Sequence, residues 1–366
     1  MKKQLKDICT LEKGKQIDTK LLDDSNSYRY INGGIKESGF YNEYNTSGET
    51  VLISEGGASC GYVNYVNENF WCGCHCYRLT DIKVFPKYLF YSLKGSQNGI
   101  MALRTGAAMP NIKKETLKDF SITVCESLEE QKKIAAHLDT IQAAIDNKKQ
   151  QLSHLDELVK SRFVEMFGEN PVESGKWKIE KLGNLCSKIS DGVHAKPEYT
   201  ETGMPFISVV NMNTGKLKFD DCKYVSTEAY EKMIKATNPE KDDVLYTKVG
   251  ATYGISALVD TEKKFCLYVS VALLKPLHDK IDSQFLTSTM MMPYVKHQAD
   301  KSIKGIGVPD LHLNQIRDFD IAVPSIELQK LFCNYVQKVD SAKAIIKNQL
   351  ADLQELLDSK MDEYFA

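Results

Sequence analysis

The segment SLEEQKKIAAHLDTIQAAIDNKKQQLSHLDELVKSRFVEMF (residues 127–167) returns 198 positions later as SIELQKLFCNYVQKVDSAKAIIKNQLADLQELLDSKMDEYF (residues 325–365), without a gap and with 14 of 41 residues identical. A self-match of that length marks a duplicated unit. Upstream the likeness continues with drifting offsets. DFSITV (119–124) matches DFDIAV (318–323), TGAAMPNI (105–112) resembles KGIGVPDL (304–311), VLISEGGASCG (51–61) matches VLYTKVGATYG (244–254), and LKDIC (5–9) matches LGNLC (182–186). The chain reads as one unit written twice, each a glycine-punctuated globular part followed by a long helix.

Both repeated segments predict helices. Ser127 with Glu130 three residues on has the form of an N-cap and capping box, whereas Ser325 opens the second copy with Leu328 where the box would need an acid. Apolar Leu138, Ile141, Ile145, Leu152, Leu155, Leu158 and Val159 recur at spacings of three, four and seven, as do Val336, Val339, Ile346, Leu350, Leu353, Leu356 and Leu357. Gly168 and Pro171 end the first helix. At 1.5 Å per residue, about 40 residues make a rod of roughly 60 Å, which needs an apolar partner. An ordinary helical core within each domain is one reading of the stripes; the length favours pairing of the two copies. The expected fold is therefore α+β: two mixed α/β domains (1–127 and 172–325) separated by two long helices (128–168 and 326–366) that form an antiparallel coiled coil, with an internal pseudo-twofold repeat. Within the domains, ETVLIS, NYVNENFWCGCHCYRL, DVLYTKV and FCLYVSVALLKP have strand composition. DFSITV and DFDIAV read as a last strand before each helix, and PKYLFYSL and SQFLTSTMM as short helices.

The chain has 366 residues, 42% hydrophobic and 26% charged, with a formal net charge of -2. That length exceeds one typical domain, and the charge excludes a globally basic nucleic-acid coat but not a locally basic groove. No stretch approaches 18 consecutive apolar residues, and the N-terminus carries no apolar signal region, so membrane insertion and secretion are disfavoured. Ten cysteines without an export signal then argue for free thiols in a reducing cytoplasm.

Motifs for chemistry are missing: there is no GxxxxGK[ST], GxGxxG, [DN]PP[YF], HExxH or GxSxG. EGGASCG and KVGATYG could cradle phosphate, but neither leads into a convincing helix N-terminus, and a tight turn beside a strand is the better account. Cys72-Gly-Cys74-His75-Cys76, with Cys60 as an extra ligand, invites zinc. Its one-residue spacings differ from those of structural zinc sites, and alternation would put the three cysteines on one strand face and His75 on the other, which favours packed thiols. Polar groups suited to DNA are common in the loops. In the first copy these are Lys13, Lys15, Arg29, Asn32, Arg104, Asn111 and Lys113; in the second, Lys188, His194, Lys196, Asn211, Asn213, Lys248, Tyr253 and Lys304. Each alone is an ordinary surface residue, but their concentration in irregular loops of a doubled scaffold makes them candidate DNA contacts.

The two junctions, ITVCESLEEQKKI and IAVPSIELQKLF, each place a short apolar strand before an apolar-Glu-x-Gln run and a 40-residue helix. With the preceding loops TGAAMPNI and KGIGVPDL, they resemble the DNA-specificity subunit of type I restriction-modification systems, over essentially the whole length. Cys125 and Glu126 replace the family's usual Pro at the first junction, and Leu328 replaces the second Glu at the other. The resemblance implies two target-recognition domains that read a bipartite site on double-stranded DNA. It also implies a non-catalytic cytoplasmic subunit that binds two methyltransferase subunits and, for cleavage, restriction subunits. S-adenosylmethionine, ATP and Mg would then belong to those partners, and this chain would hold no cofactor or metal. A specificity subunit of a type IIB-like methylating enzyme, or a scaffold that binds no DNA, are the competing readings.

Overall fold

The computed structural model describes residues 1–106, 108–303 and 307–365. The duplication holds strand by strand. In the first copy, Thr10–Lys13, Cys76–Thr80, Thr50–Ser54 and Val63–Val66 form an antiparallel four-stranded sheet in that order. In the second, Cys186–Asp191, Val271–Pro276, Val244–Thr247 and Ser256–Leu258 do the same. Each copy adds a three-stranded sheet with one parallel pair, Tyr28–Ile31 beside Trp71–Cys72 and Met204–Ile207 beside Cys266–Leu267. Each also pairs its first strand with the strand before the long helix: Lys2–Gln4 with Ser121–Thr123, and Lys178–Lys181 with Asp320–Val323. The short helices expected from PKYLFYSL and SQFLTSTMM are Pro86–Gly95 and Ser283–Met290.

The cysteine-rich run departs from the single strand that alternation predicts. Trp71–Cys72 belongs to the three-stranded sheet and Cys76–Thr80 to the four-stranded one, and Gly73 to His75 turn the chain between them. Cys72 and Cys76 are buried, Cys74 is half-buried with its thiol donating to Gln16 Oε1 at 3.1 Å, and His75 is exposed. The second copy switches sheets at the same place, between Cys266–Leu267 and Val271–Pro276. All ten cysteines are free thiols.

The central helix spans Leu128–Phe167 and the C-terminal helix Ile326–Phe365. Ser127 caps the first through the Glu130 N–H at 3.3 Å, and Gly168, at a φ of 99°, closes it in the left-handed conformation that glycine accepts without a Cβ penalty. Trp177 Nε1 donates to the Phe167 carbonyl at 3.0 Å, satisfying one of the last open acceptors.

The chain divides into two compact units, the first discontinuous and the second a single stretch: residues 1–151 with 345–366, and residues 152–344. In the first, Leu138, Ile141 and Ile145 of the central helix share a core with Tyr88, Leu89 and Leu93 and with Leu350, Leu353 and Leu357 of the C-terminal helix. In the second, Phe163 and Phe167 pack against Phe285 and Phe332. The helices are antiparallel within each unit. His137 meets Tyr364 in the first, at 2.8 Å between Nδ1 and the hydroxyl, and Asp156 meets Lys343 in the second at 2.6 Å.

Candidate nucleic-acid interface

At one end of the four-stranded sheet, each copy gathers a strand end, a glycine turn and the loop that precedes its long helix. In the first copy the strand runs out at Lys13, opposite Tyr77. It continues through Gly14, where a Cβ would lie 2.1 Å from the Cys72 carbonyl oxygen, so no larger residue fits. The Lys15 N–H donates to that same carbonyl at 2.9 Å. Glu55 opens the glycine turn; its N–H donates to His75 O at 2.8 Å and its carbonyl accepts from Ile112 at 2.9 Å. The Gly57 N–H donates to Pro110 O at 2.9 Å and ties the turn to a loop closed by paired backbone bonds between Thr105 and Asn111. Met109, in that loop, is 80% exposed.

The second copy repeats these bonds. A Cβ on Gly192 would lie 2.0 Å from the Leu267 carbonyl oxygen, to which Val193 N–H donates at 3.0 Å. Lys248 N–H donates to Ser270 O, Leu311 N–H to Lys248 O and Gly250 N–H to Pro309 O, each at 2.9 Å. Val308, the counterpart of Met109, is 74% exposed.

Side chains fill the two frames differently. Lys13 Nζ lies 2.5 Å from the buried Glu55 carboxylate, which also accepts from the Tyr77 hydroxyl at 3.0 Å. Burial, and then the charge of Glu55, push the pKa of Tyr77 up, which keeps that hydroxyl a donor. In the second copy the buried group is a cation: Lys248 Nζ sits 3.4 Å from Asp191 and 3.5 Å from Asp310. His194 lies 3.6 Å from Asp191 and is exposed.

The expected DNA contacts thus separate into two sets. Lys15, Lys113, Lys196 and Asn213 are exposed and make no side-chain hydrogen bond or ion pair among the described residues, and Arg104 is exposed with its Nε held by Met101 O at 2.7 Å. Lys13 and His194 are also accessible, and Asn111 lies half-buried at the base of the loop. Lys188 is exposed, yet its Nζ donates to Ala236 O at 2.6 Å. Five others have internal duties that the sequence reading did not foresee. Arg29 is held between Glu68 and Glu37. Asn32 bonds Gln16 and the His75 N–H, at 3.3 and 3.1 Å. Asn211 is buried and accepts from Ser208 N–H at 3.0 Å. Lys248 is buried between its acids, and Tyr253 donates to Asp300 with Lys296 over its ring. Lys304 lies outside the described residues.

The acids Glu55, Asp191 and Asp310 hold the frame, and nothing in their sequence setting distinguishes them from other surface carboxylates. The repeat alignment already set Glu55 over Lys248. It missed Lys13 over Asp191, because the offset of 177 from LKDIC and LGNLC pairs Lys13 with Ser190. A β-bulge between Cys186 and Lys188 supplies the extra residue. Among the described residues, no group of three or more His, Cys, Asp or Glu side chains is placed to hold a metal ion, and no helix is long and apolar enough to cross a membrane.

Two copies of one α+β module, each presenting a loop-built edge and each leading into a long helix, define a duplicated α+β protein with two equivalent loop edges. The chain belongs to the type I restriction modification DNA specificity domain family, whose model matches residues 1–157 and again 174–355. A protein of Mycoplasma genitalium described as a type I specificity subunit is 24% identical over 369 residues, covering 100% of this chain and 93% of its own. One from Mycoplasma pneumoniae is 32% identical over 201 residues, and the match spans about half of each protein, 52%. The crystal structure of a type I restriction-modification S subunit from M. genitalium superposes with a TM-score of 0.63 at 22% identity, covering 100% of this chain and 96% of that one.

Proposed function

We propose that this chain is the DNA-reading subunit of a type I restriction-modification complex. Each globular part reads one half of a bipartite double-stranded target through its loop edge, and partner subunits carry out adenine methylation and cleavage. The observation that carries this reading is the strand-by-strand duplication of the module within a chain of the specificity family. A duplicated reader contacts two stretches of one duplex, with phosphate contacts fixing register and base-edge contacts giving sequence. Exposed Lys15, Arg104, Lys113, His194, Lys196 and Asn213 are the accessible groups for it. The long helices carry exposed apolar residues at equivalent places, Leu158 and Leu356, where methyltransferase subunits would dock. S-adenosylmethionine belongs to those subunits in this reading, and ATP and Mg to the restriction subunits. The test is coexpression of the chain with a type I methyltransferase subunit from the same genome, followed by methylation mapping of host DNA. Adenine methylation at a two-part motif, absent when this chain is omitted, is the expected result; methylation that is indifferent to this chain overturns the reading.

A further inference from the structure

The strand end and the glycine turn carry opposite charges in both copies, but the signs are exchanged. Lys13 and Asp191 are equivalent by three criteria. Each ends the first strand of its four-stranded sheet; each sits opposite an equivalent residue of the adjacent strand, Tyr77 or Ala272; and each precedes a glycine pressed against a carbonyl. Glu55 and Lys248 are equivalent through their matching backbone bonds to the sheet-switch turn and to the pre-helix loop. The first copy therefore pairs a strand lysine with a turn glutamate, and the second a strand aspartate with a turn lysine. The turn member is the buried one each time, with side-chain exposures of 9% for Glu55 and 5% for Lys248. The third position follows the sign. Next to a turn glutamate the loop has neutral Asn111, and next to a turn lysine it has Asp310, which bonds the ammonium.

A buried charge without its partner is strongly unfavourable, so each turn holds its place only while its own strand end supplies the opposite sign. We infer that these pairs are sign-matched latches that position the recognition loops, Lys13 with Glu55 for one half of the target and Asp191 with Lys248 and Asp310 for the other. They act through the turn, whose Gly57 and Gly250 N–H groups hold the loops bearing Met109 and Val308. Because the signs differ, a turn transplanted from one copy to the other meets a like charge. Strand end and turn thus form a compatibility unit that must be moved together. The inference rests on the DNA-reading function proposed above.

The experiment is a charge-reversal cycle on the full chain in its complex with the methyltransferase subunit. Its readouts are affinity for the mapped target, discrimination against single-base changes in each half, and thermal unfolding. Lys13→Asp and Glu55→Lys, made singly, should each weaken binding by at least about tenfold and erode discrimination in one half only, and together they should return affinity to within about threefold of the parent. In the second copy, Asp191→Lys with Lys248→Asp should recover fully only when Asp310→Asn is added. The double variant tells a positioning loss from a folding failure, since a chain that merely misfolds loses both halves at once. Singles that read DNA as the parent does, a double no better than the singles, or loss spread evenly over both halves would overturn the inference. If the parent complex itself shows no two-part target, it is the DNA-reading function that fails, and the latch is then judged by unfolding alone: no recovery of thermal stability in the double overturns it.

Discussion

Gln131 and Gln329 are identical residues of the repeat, and both are buried. Gln131 accepts from the Phe85 N–H at 2.7 Å and donates to the Cys125 carbonyl at 2.6 Å. Gln329 accepts from Asp282 N–H at 2.8 Å and donates to Pro324 O at 2.9 Å. Each amide therefore staples a long helix to the N-cap of the short helix beside it and to the junction that follows the preceding strand. Gln131→Leu keeps the volume but leaves a buried N–H and a buried carbonyl unpaired, which should cost about 2–4 kcal/mol. A denaturant titration in which the first unit's midpoint does not move would refute this. Gly14→Ala is expected to be as damaging for a different reason, since its Cβ would meet backbone at 2.1 Å and no rotamer can relieve that. Its thermal midpoint should fall by several degrees, whereas Gly57→Ala, whose Cβ meets nothing, should show only the smaller strain of its φ of 76°. At this scale the sequence showed that the glutamines recur, but a polar identity in a helix does not reveal that it points inward. Gly14 and Gly192, the glycines pressed against a carbonyl at the strand ends, sat outside every motif.

The leucine stripes placed both long helices correctly and predicted their pairing, because spacing reports an apolar face directly. They did not say how deep each position lies. Leu138, Ile141, Ile145, Val336, Val339 and Leu357 are buried where a globular core covers them, whereas Leu152, Leu155, Ile346, Leu350 and Leu353 are half-buried and Leu158 and Leu356 are exposed. Two helices facing each other bury a narrower seam than a domain does. Phe163→Ala, at the centre of the cluster with Phe167, Phe285 and Phe332, should therefore destabilise the second unit by about 3–5 kcal/mol. Leu158→Ala, five residues earlier, should change stability by less than about 0.5 kcal/mol while weakening capture of the methyltransferase subunit. Chemical unfolding and a pull-down separate the two, and equal destabilisation by both would refute the seam. The cysteine run shows the opposite limit of pattern reading. Alternation over Cys72, Cys74 and Cys76 presumed one strand, but Gly73 has no room for a side chain beside Asn32, and the chain changes sheets there.

For the whole molecule, the repeat announced two equal units, and the structure delivers two units whose boundary cuts through both long helices, the second a single stretch of chain between the two segments of the first. Residues 345–365 complete the unit that begins at Met1, although they lie at the other end of the sequence. Periodicity identifies an apolar face but not which residues cover it, so this exchange was not legible. It has a consequence for truncation. Leu350, Leu353, Met361, Tyr364 and Phe365 pack on the core formed by residues 5–145, with Phe365 edge-on to Tyr88 at 5.3 Å between centroids and Tyr364 bonded to His137. A chain ending at Ala344 should leave the second unit intact and open the first. Amide hydrogen exchange should accelerate over Pro86–Gly95 and residues 128–151, which lose their apolar cover, while residues 152–167 and 326–344 keep their protection because their mutual contacts remain. Protection lost first near the cut, with the N-terminal unit unchanged, would mean that the last helical turns are dispensable to it. The same dependence constrains exchange of readers. A replacement for residues 1–127 must fit the last turns of the C-terminal helix as well as the helix it leads into, so exchanges that carry residues 345–365 along should express as stable protein where exchanges of 1–127 alone do not.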